Sequence, residues 1–351
     1  MSDVEFIHDA VSRVLADTVT LASIQEAENR KVPIQLFDAL ADTGISLMLA
    51  PEEYGGVNAN LSAALSVLRA SGAAAAPGPV LETILAQRLL TQAGLDPTGG
   101  LSTLVFAQPL DGPAPGATFW AAPPPFHEVP WGGLAKHFLV VWDSGTGVRL
   151  VVSDCSAWRA VPGADEAGEP RDTLQGENIP VTCSLLSGTS YDELLRTAAL
   201  LRAGQLLGAI EWTFNCSVSY AMERKQFGRE IGKFQAVQHM LAELADHTLA
   251  SAAITMAAAE RCTDTMVAAA RSRVADAADA AISIGHQVHG AIGFSREYAL
   301  NYRTRRLMAW RNDYGSVFYW RHRLGAQFQN LSRDAFWPAV ADAGLSSLPI
   351  R

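Results

Sequence analysis

The stretch YAMERKQFGREIGKFQAVQ, Tyr220 to Gln238, decides how the C-terminal half of this chain folds. Helical periodicity runs up to it and resumes after it, while Gly228 and Gly232 interrupt what would otherwise be one very long helix. Two antiparallel helices therefore meet here. Arg224, Lys225, Arg229 and Lys233 concentrate positive charge in a chain whose net charge is −9. A guanidinium beside a helix start, with nearby amides and Gln235, suits a bidentate grip on a phosphate or pyrophosphate. The same cations also suit a solvated hairpin that offsets the C-terminal dipole of the preceding helix. On these residues alone both readings stand.

Working outward, Leu194–Met222, Phe234–Arg261 and Met266–His289 each read as a long helix, and a fourth follows Tyr298. Four helices with short connections predict an antiparallel four-helix bundle over 187–351. Upstream, over 101–186, the texture changes. Short apolar runs (Thr103–Ala107, Phe138–Trp142, Val148–Val152) alternate with turns such as Gly112–Gly116 and Pro123–Pro125, which predicts a small β domain. Over 1–100 the period is helical again, with Phe6, Val11, Val14 and Leu15 on one stripe and Leu36, Leu40 and Ile45 on another. The turn Ala50–Gly56 interrupts it before helices over Leu61–Ala75 and Leu81–Ala93. The expected class is mainly α with a β domain (α+β): helical, β-barrel-like, then helical bundle.

Hydrophobic residues make up 49% of the 351 and charged residues 18%, so a large core can form and disorder is excluded. The acidic balance and lack of a basic stripe argue against nucleic acid or an anionic membrane surface as partner. Cys155, Cys183, Cys216 and Cys262 are scattered without metal-like spacing, which fits reduced thiols in a cytoplasmic protein. The first residues show no apolar signal-peptide core, and no apolar run is long enough to span a bilayer.

A second informative stretch is GHQVHGAIGFSREY, Gly285 to Tyr298. A long helix ends in Gly290-Ala291-Ile292-Gly293, where small residues permit close approach of another body, and Gln287 and His289 can hydrogen-bond it. The plain alternative is a glycine-terminated helix and an ordinary turn. His286 and His289 at i, i+3 lack a third ligand, so no metal is expected.

Together, RKQFG…FQ (Arg224–Gln235), QVHGAIGF (Gln287–Phe294) and APEEYGG (Ala50–Gly56) closely resemble motifs of the acyl-CoA dehydrogenase flavoprotein family. The resemblance is strongest over 190–325 and weakest in the β segment. It implies the acyl-CoA dehydrogenase fold and FAD held between the β domain and the bundle. By resemblance Arg224 meets the pyrophosphate, and Phe227, Phe234 and Gln235 line the adenine and ribose. Gln287, Val288, His289, Gly290 and Ala291 come from a neighbouring subunit, with Gly290 and Ala291 on the diphosphate. Gly315 and Ser316 fall in the next flavin-contacting loop.

The chain departs from the family in three places, the first being Ala291, where the family often has a second glycine. Where the family strand reads A-x-x-E-P, this one has Val105-Phe106-Ala107-Gln108-Pro109. Glu128–Gly132 resembles the strand and loop against the isoalloxazine, with Trp131 either a stacking group or a core residue. The largest departure is the catalytic base. The family's α,β-dehydrogenation needs a carboxylate to take the pro-R α proton as the β hydride leaves. Many members carry that glutamate just before the glycine aligned with Gly315, where this chain has Tyr314. A tyrosine with a pKa near 10 is a poor base at neutral pH. Asp313 is one residue off, and the other family location reads Thr197-Ala198-Ala199, again without a carboxylate.

Three readings follow from the resemblance: Asp313 reaches the substrate; a partner supplies the base in a heteromer of the steroid side-chain type; or the chain has lost dehydrogenation. The expected function is FAD-dependent α,β-dehydrogenation of an acyl-CoA thioester as one subunit of a dimer or tetramer. Electrons would pass to an electron-transfer flavoprotein. The alternatives are a non-catalytic subunit that holds FAD or stabilises its partner, and a flavin oxidase or monooxygenase on the same fold.

Overall fold

A computed structural model describes residues 3–107 and 112–345; Gln108 and Pro109 lie outside the described residues. The chain divides into two compact units, Met1–Ala198 and Ala199–Arg351.

The first unit opens with α1 (Asp3–Thr18), α2 (Leu21–Glu28), α3 (Ile34–Asp42), α4 (Leu61–Ala74) and α5 (Val80–Gln92). Their starts are written locally. Thr20 and Ser23 form a capping box on α2, and the Asn60 side chain accepts from the Ala63 amide on α4. Val11 and Leu15 of the predicted stripe are buried, as are Leu36 and Leu40; the Phe6 side chain lies outside the described residues. The turn before α4 needs its last glycine: a Cβ on Gly56 would lie 2.1 Å from the Ala50 carbonyl oxygen.

Among the described residues nine strands follow: β1 (Ser102–Phe106), β2 (Phe119–Trp120), β3 (Phe126–Pro130), β4 (His137–Asp143), β5 (Val148–Asp154), β6 (Arg159–Val161), β7 (Arg171–Gln175), β8 (Ile179–Pro180) and β9 (Thr182–Leu186). The larger sheet has the order β1-β4-β5-β9, with β1 and β4 parallel and the other pairs antiparallel. A second sheet runs β3-β7-β6, and β2 pairs with β8. Trp120, Phe126, Phe138, Trp142 and Trp158 form an aromatic cluster with ring centroids 5.3–6.5 Å apart, most of them edge to face. Within this unit Arg30 grips the buried Asp172 with two hydrogen bonds of 2.9 and 3.0 Å. Asp172 also accepts from the amides of Gly133 and Gly163. Such a carboxylate, fully hydrogen-bonded, tolerates burial that an unpaired one would not.

α6 (Tyr191–Glu223) carries the chain into the second unit. The expected junction contains a short hairpin, β10 (Lys225–Gln226) and β11 (Arg229–Glu230), before α7 (Gln235–Arg261). Cys262 in the left-handed region ends α7, and the Thr263 hydroxyl caps α8 (Asp264–His289). The expected fourth helix is divided into α9 (Ala299–Trp310) and α10 (Val317–Phe328), followed by α11 (Arg333–Leu345). The interruption at 311–316 centres on Tyr314 and Gly315, which both take positive φ, +56° and +109°. Among the described residues no helix is long and apolar enough to cross a membrane.

Candidate functional site

Arg224 leaves the end of α6, its amide donating to the Tyr220 carbonyl and its carbonyl accepting from Ile231. The hairpin turns at Phe227 and Gly228, with φ of +50° and +80°, the pairing that matches a two-residue antiparallel turn. This geometry leaves the Phe227 ring 91% exposed. Phe234 meets it edge to face at 6.1 Å, and the Arg229 guanidinium lies 4.2 Å over Phe234. Lys225 and Lys233 are both engaged with Glu230, whose carboxyl they hold below the usual range, Lys233 foremost. Arg224 makes no ion pair among the described residues, and Gln235 is exposed at the first turn of α7. Gly232 packs closely on α6, where a Cβ would come 3.0 Å from the Ala221 carbonyl oxygen.

At the end of α8, Gln287 and Ala291 are exposed, whereas Val288 and His289 are buried. Gly290 has φ +65° and ψ −145°, a conformation close to glycine's own, with open space where a side chain would be. The His289 ring is turned inward: Nδ1 lies 2.8 Å from the Gly285 carbonyl, and Nε2 faces the Cys216 thiol at 3.7 Å. Burial lowers the His289 pKa, and burial also raises those of Cys216 and Tyr298. His286 stacks on Phe294 at 4.0 Å and meets the Thr304 hydroxyl at 3.0 Å. Of the two polar side chains singled out here, only Gln287 faces outward.

The structure groups the site residues in two sets. Tyr220 stacks on His289 at 4.4 Å, so the ends of α6 and α8 lie side by side. The hairpin and Gln287–Ala291 are therefore presented at the same end of one chain. Gly315 and Ser316 belong elsewhere. Arg271 holds their turn from a position eighteen residues before His289 on α8, roughly 27 Å along the helix at 1.5 Å per residue.

In that turn, the Arg202 Nη2 atom lies 3.2 Å from Asp313 Oδ2, with the two side chains 4% and 17% exposed. The Arg202 guanidinium also lies 5.3 Å from the Trp310 ring and 5.6 Å from the Tyr314 ring. Arg271, buried among them, has its pKa pushed down to about 10 by burial, partly offset by Asp313. Ser316 caps α10 by accepting from the Tyr319 amide at 3.1 Å. Of the aromatic stretch that follows Trp310, Trp320 is buried and Phe318 is exposed. Sequence reasoning missed Arg202 and Arg271. The available signal was an arginine inside an Ala/Leu-rich helical run, a placement that favours a buried partner.

In the first unit, Trp131 is 2% exposed, which favours the core reading over a stacking group. A separate groove of about 540 Å³ lies among Ile34, Phe37, Leu47, Gln87 and Lys136, next to the Ala50–Gly56 turn, whose Ala50 amide donates to the Leu47 carbonyl.

Family models match in order and at both ends: acyl-CoA dehydrogenase, N-terminal domain, over residues 2–96, and acyl-CoA dehydrogenase, C-terminal domain, over 190–312. The chain belongs to the acyl-CoA dehydrogenase family, oxidoreductases that act on a CH–CH bond of acyl-CoA thioesters. Among its relatives is acyl-CoA dehydrogenase IpdE2 of Mycobacterium tuberculosis, 29% identical over 86% of this chain and 90% of that one. Its fold is that of the ChsE4-ChsE5 complex from Mycobacterium tuberculosis, with TM-score 0.82, 20% identity, and 95% of this chain and 99% of the other covered. The Tcur3481-Tcur3483 steroid ACAD G363A variant has TM-score 0.80 and 21% identity, with 92% and 97% covered.

The residues present suit the FAD that the family implies. The unpaired Arg224 offers a charge-assisted fork to a diphosphate. Phe227 and Phe234 offer an apolar ledge to an adenosine, and the open backbone at Gly290 admits close approach.

Proposed function

We propose that this chain is one subunit of a heteromeric, FAD-dependent acyl-CoA dehydrogenase in which a related subunit supplies the catalytic carboxylate. One observation carries this: Tyr314 stands at the family's base position, and the adjacent carboxylate, Asp313, is committed to Arg202. A carboxylate facing a guanidinium loses basicity, because the pair favours the ionised form. Burying that pair further restricts its access to a substrate proton.

The bound flavin supplies the hydride acceptor. Arg224 would bind its diphosphate, with Phe227, Phe234 and Gln235 along the adenosine. Gln287 and the backbone of Gly290 and Ala291 would complete that end, and Val288 and His289 would hold the helix end from inside. Gly315 and Ser316 would serve from the second set. The 27 Å between the sets, an estimate from helix rise, favours two chains per site, because one chain presents its sets at opposite ends. The pairing of two different chains in the ChsE4-ChsE5 complex is consistent with such an arrangement. A steroid-type thioester as substrate and an electron-transfer flavoprotein as acceptor complete the proposal.

The test is anaerobic titration of the purified chain with acyl-CoA thioesters, steroid thioesters included, alone and with a co-expressed homologue that carries the glutamate. Flavin that bleaches only in the mixed assembly supports the proposal. Bleaching by this chain alone would overturn it, and reduced flavin that consumes oxygen rapidly would favour an oxidase. Flavin bound by this chain but never reduced within the mixed assembly would leave it a non-catalytic holder.

A further inference from the structure

The 311–316 turn has an unusual hydrogen-bond economy. Arg271 Nη2 alone is within hydrogen-bond distance of three of its carbonyls: Arg311 at 2.9 Å, Asp313 at 2.8 Å and Gly315 at 3.2 Å. The Tyr314 carbonyl accepts from the Trp320 indole at 3.2 Å. Two side chains thus hold four carbonyls of a turn whose central residues, Tyr314 and Gly315, both have left-handed φ. For tyrosine that conformation is strained and persists only when its surroundings impose it. Glycine is obligatory at 315, where a Cβ would lie 2.6 Å from Trp320 Nε1. Arg271 is 3% exposed, and among the described residues its Nε and Nη1 atoms have no hydrogen-bond partner. A guanidinium buried at that expense, on a helix that alanine would serve, is placed for what its one engaged nitrogen holds.

We propose that Arg271 is the positioning residue of this turn: by gathering its carbonyls it imposes the Tyr314–Gly315 reversal and thereby sets how Tyr314, Gly315 and Ser316 are offered to flavin and thioester. The part of the inference that concerns the ligand rests on the flavin reading above. The part that concerns the turn does not. Arg202 acts beside it, fixing the Asp313 carboxylate while Arg271 fixes the backbone. Neither arginine needs to touch the ligand.

The experiment compares Arg271→Met, Arg271→Lys and Trp320→Phe with wild type in the full assembly. Arg306→Met controls for the loss of a different buried arginine in the same unit. Amide hydrogen exchange over 311–317 is followed in flavin-free protein, and FAD affinity is measured at equilibrium. Arg271→Met should speed exchange in the turn and weaken FAD binding by about tenfold or more each, the loss expected of several shared hydrogen bonds. Arg271→Lys should recover most of both, and Trp320→Phe should open the turn to a lesser degree. Arg306→Met should lower thermal stability without selectively opening 311–317. Uniform loosening of α8 in Arg271→Met, or an opened turn with unchanged FAD affinity, would overturn the proposal. Wild-type assembly that binds no FAD would defeat the flavin reading before any variant is compared, and the exchange data would still decide the role of Arg271 in the turn.

Discussion

Asp313 and Arg202 face each other at 3.2 Å inside the second unit, with Asp313 one residue before the position where the family keeps its catalytic glutamate. The pair satisfies both charges in a largely buried place, so each depends on the other. Removing one partner of such a pair leaves the other uncompensated, which is more costly than the pair itself is stabilising.

Asp313→Asn should therefore behave as a stability variant. Unfolding should become easier by about 2–4 kcal/mol, somewhat less than for a fully buried pair because Asp313 retains some exposure. Turnover of the assembled enzyme, measured below the unfolding temperature, should stay within about threefold of wild type, since no interaction specific to the transition state is removed. A loss of about a thousandfold in kcat with unchanged thermal stability would instead make Asp313 the base.

Tyr314→Glu places a carboxylate at the family position. The backbone there already has φ +56°, so the substitution adds little strain beyond what tyrosine bears. Stopped-flow reduction of the flavin by a substrate thioester should then appear in this chain without its partner's glutamate, where wild type shows none. Tyr314→Gln, of matching shape and no basicity, should stay silent, which separates base chemistry from altered packing.

Arg224→Met should lower FAD affinity by about ten- to a hundredfold, the loss of a charge-assisted contact to a diphosphate. Because the hairpin is exposed, the melting behaviour of flavin-free protein should change by no more than about 0.5 kcal/mol. Flavin content after gel filtration and fluorescence titration measure the first effect; thermal unfolding measures the second. Equal flavin affinity in wild type and variant would remove Arg224 from the site.

Acid should destabilise the fold before the carboxylates titrate. Burial lowers the pKa of His137, His286 and His289 below the ordinary 6.5. The unfolded chain therefore takes up protons first, so stability is retained above about pH 6.5 and declines as pH falls from there through the lowered folded values. Urea unfolding between pH 7.5 and 5 (an interval chosen about the free histidine value) should show this decline. His289→Gln should make it shallower, and an unchanged slope would show that this ring titrates alike in both states.

Much of the fold was legible because local rules and burial agree. Gly228 and Gly232 sit where the helices meet, and the apolar runs 138–142 and 148–152 lie within paired strands β4 and β5. Strands such as β7, reading RDTLQ, escaped notice because alternation over five partly exposed residues hardly differs from a loop. The hairpin at 225–230 was likewise hidden, since its turn uses Phe227 in a conformation normally signalled by asparagine or glycine.

By itself, then, the sequence determined the order of helical, β and bundle segments, the family, and the absence of a glutamate before Gly315. These follow from periodicity and residue identity, which are properties of neighbours along the chain. Tertiary structure alone decided that His289 turns inward while Gln287 faces out, that the hairpin and the end of α8 share one end of the bundle, and that Asp313 belongs to Arg202. Those relations join residues tens of positions apart, and whether a charge is free or paired depends on which distant side chain folding brings within about 4 Å of it.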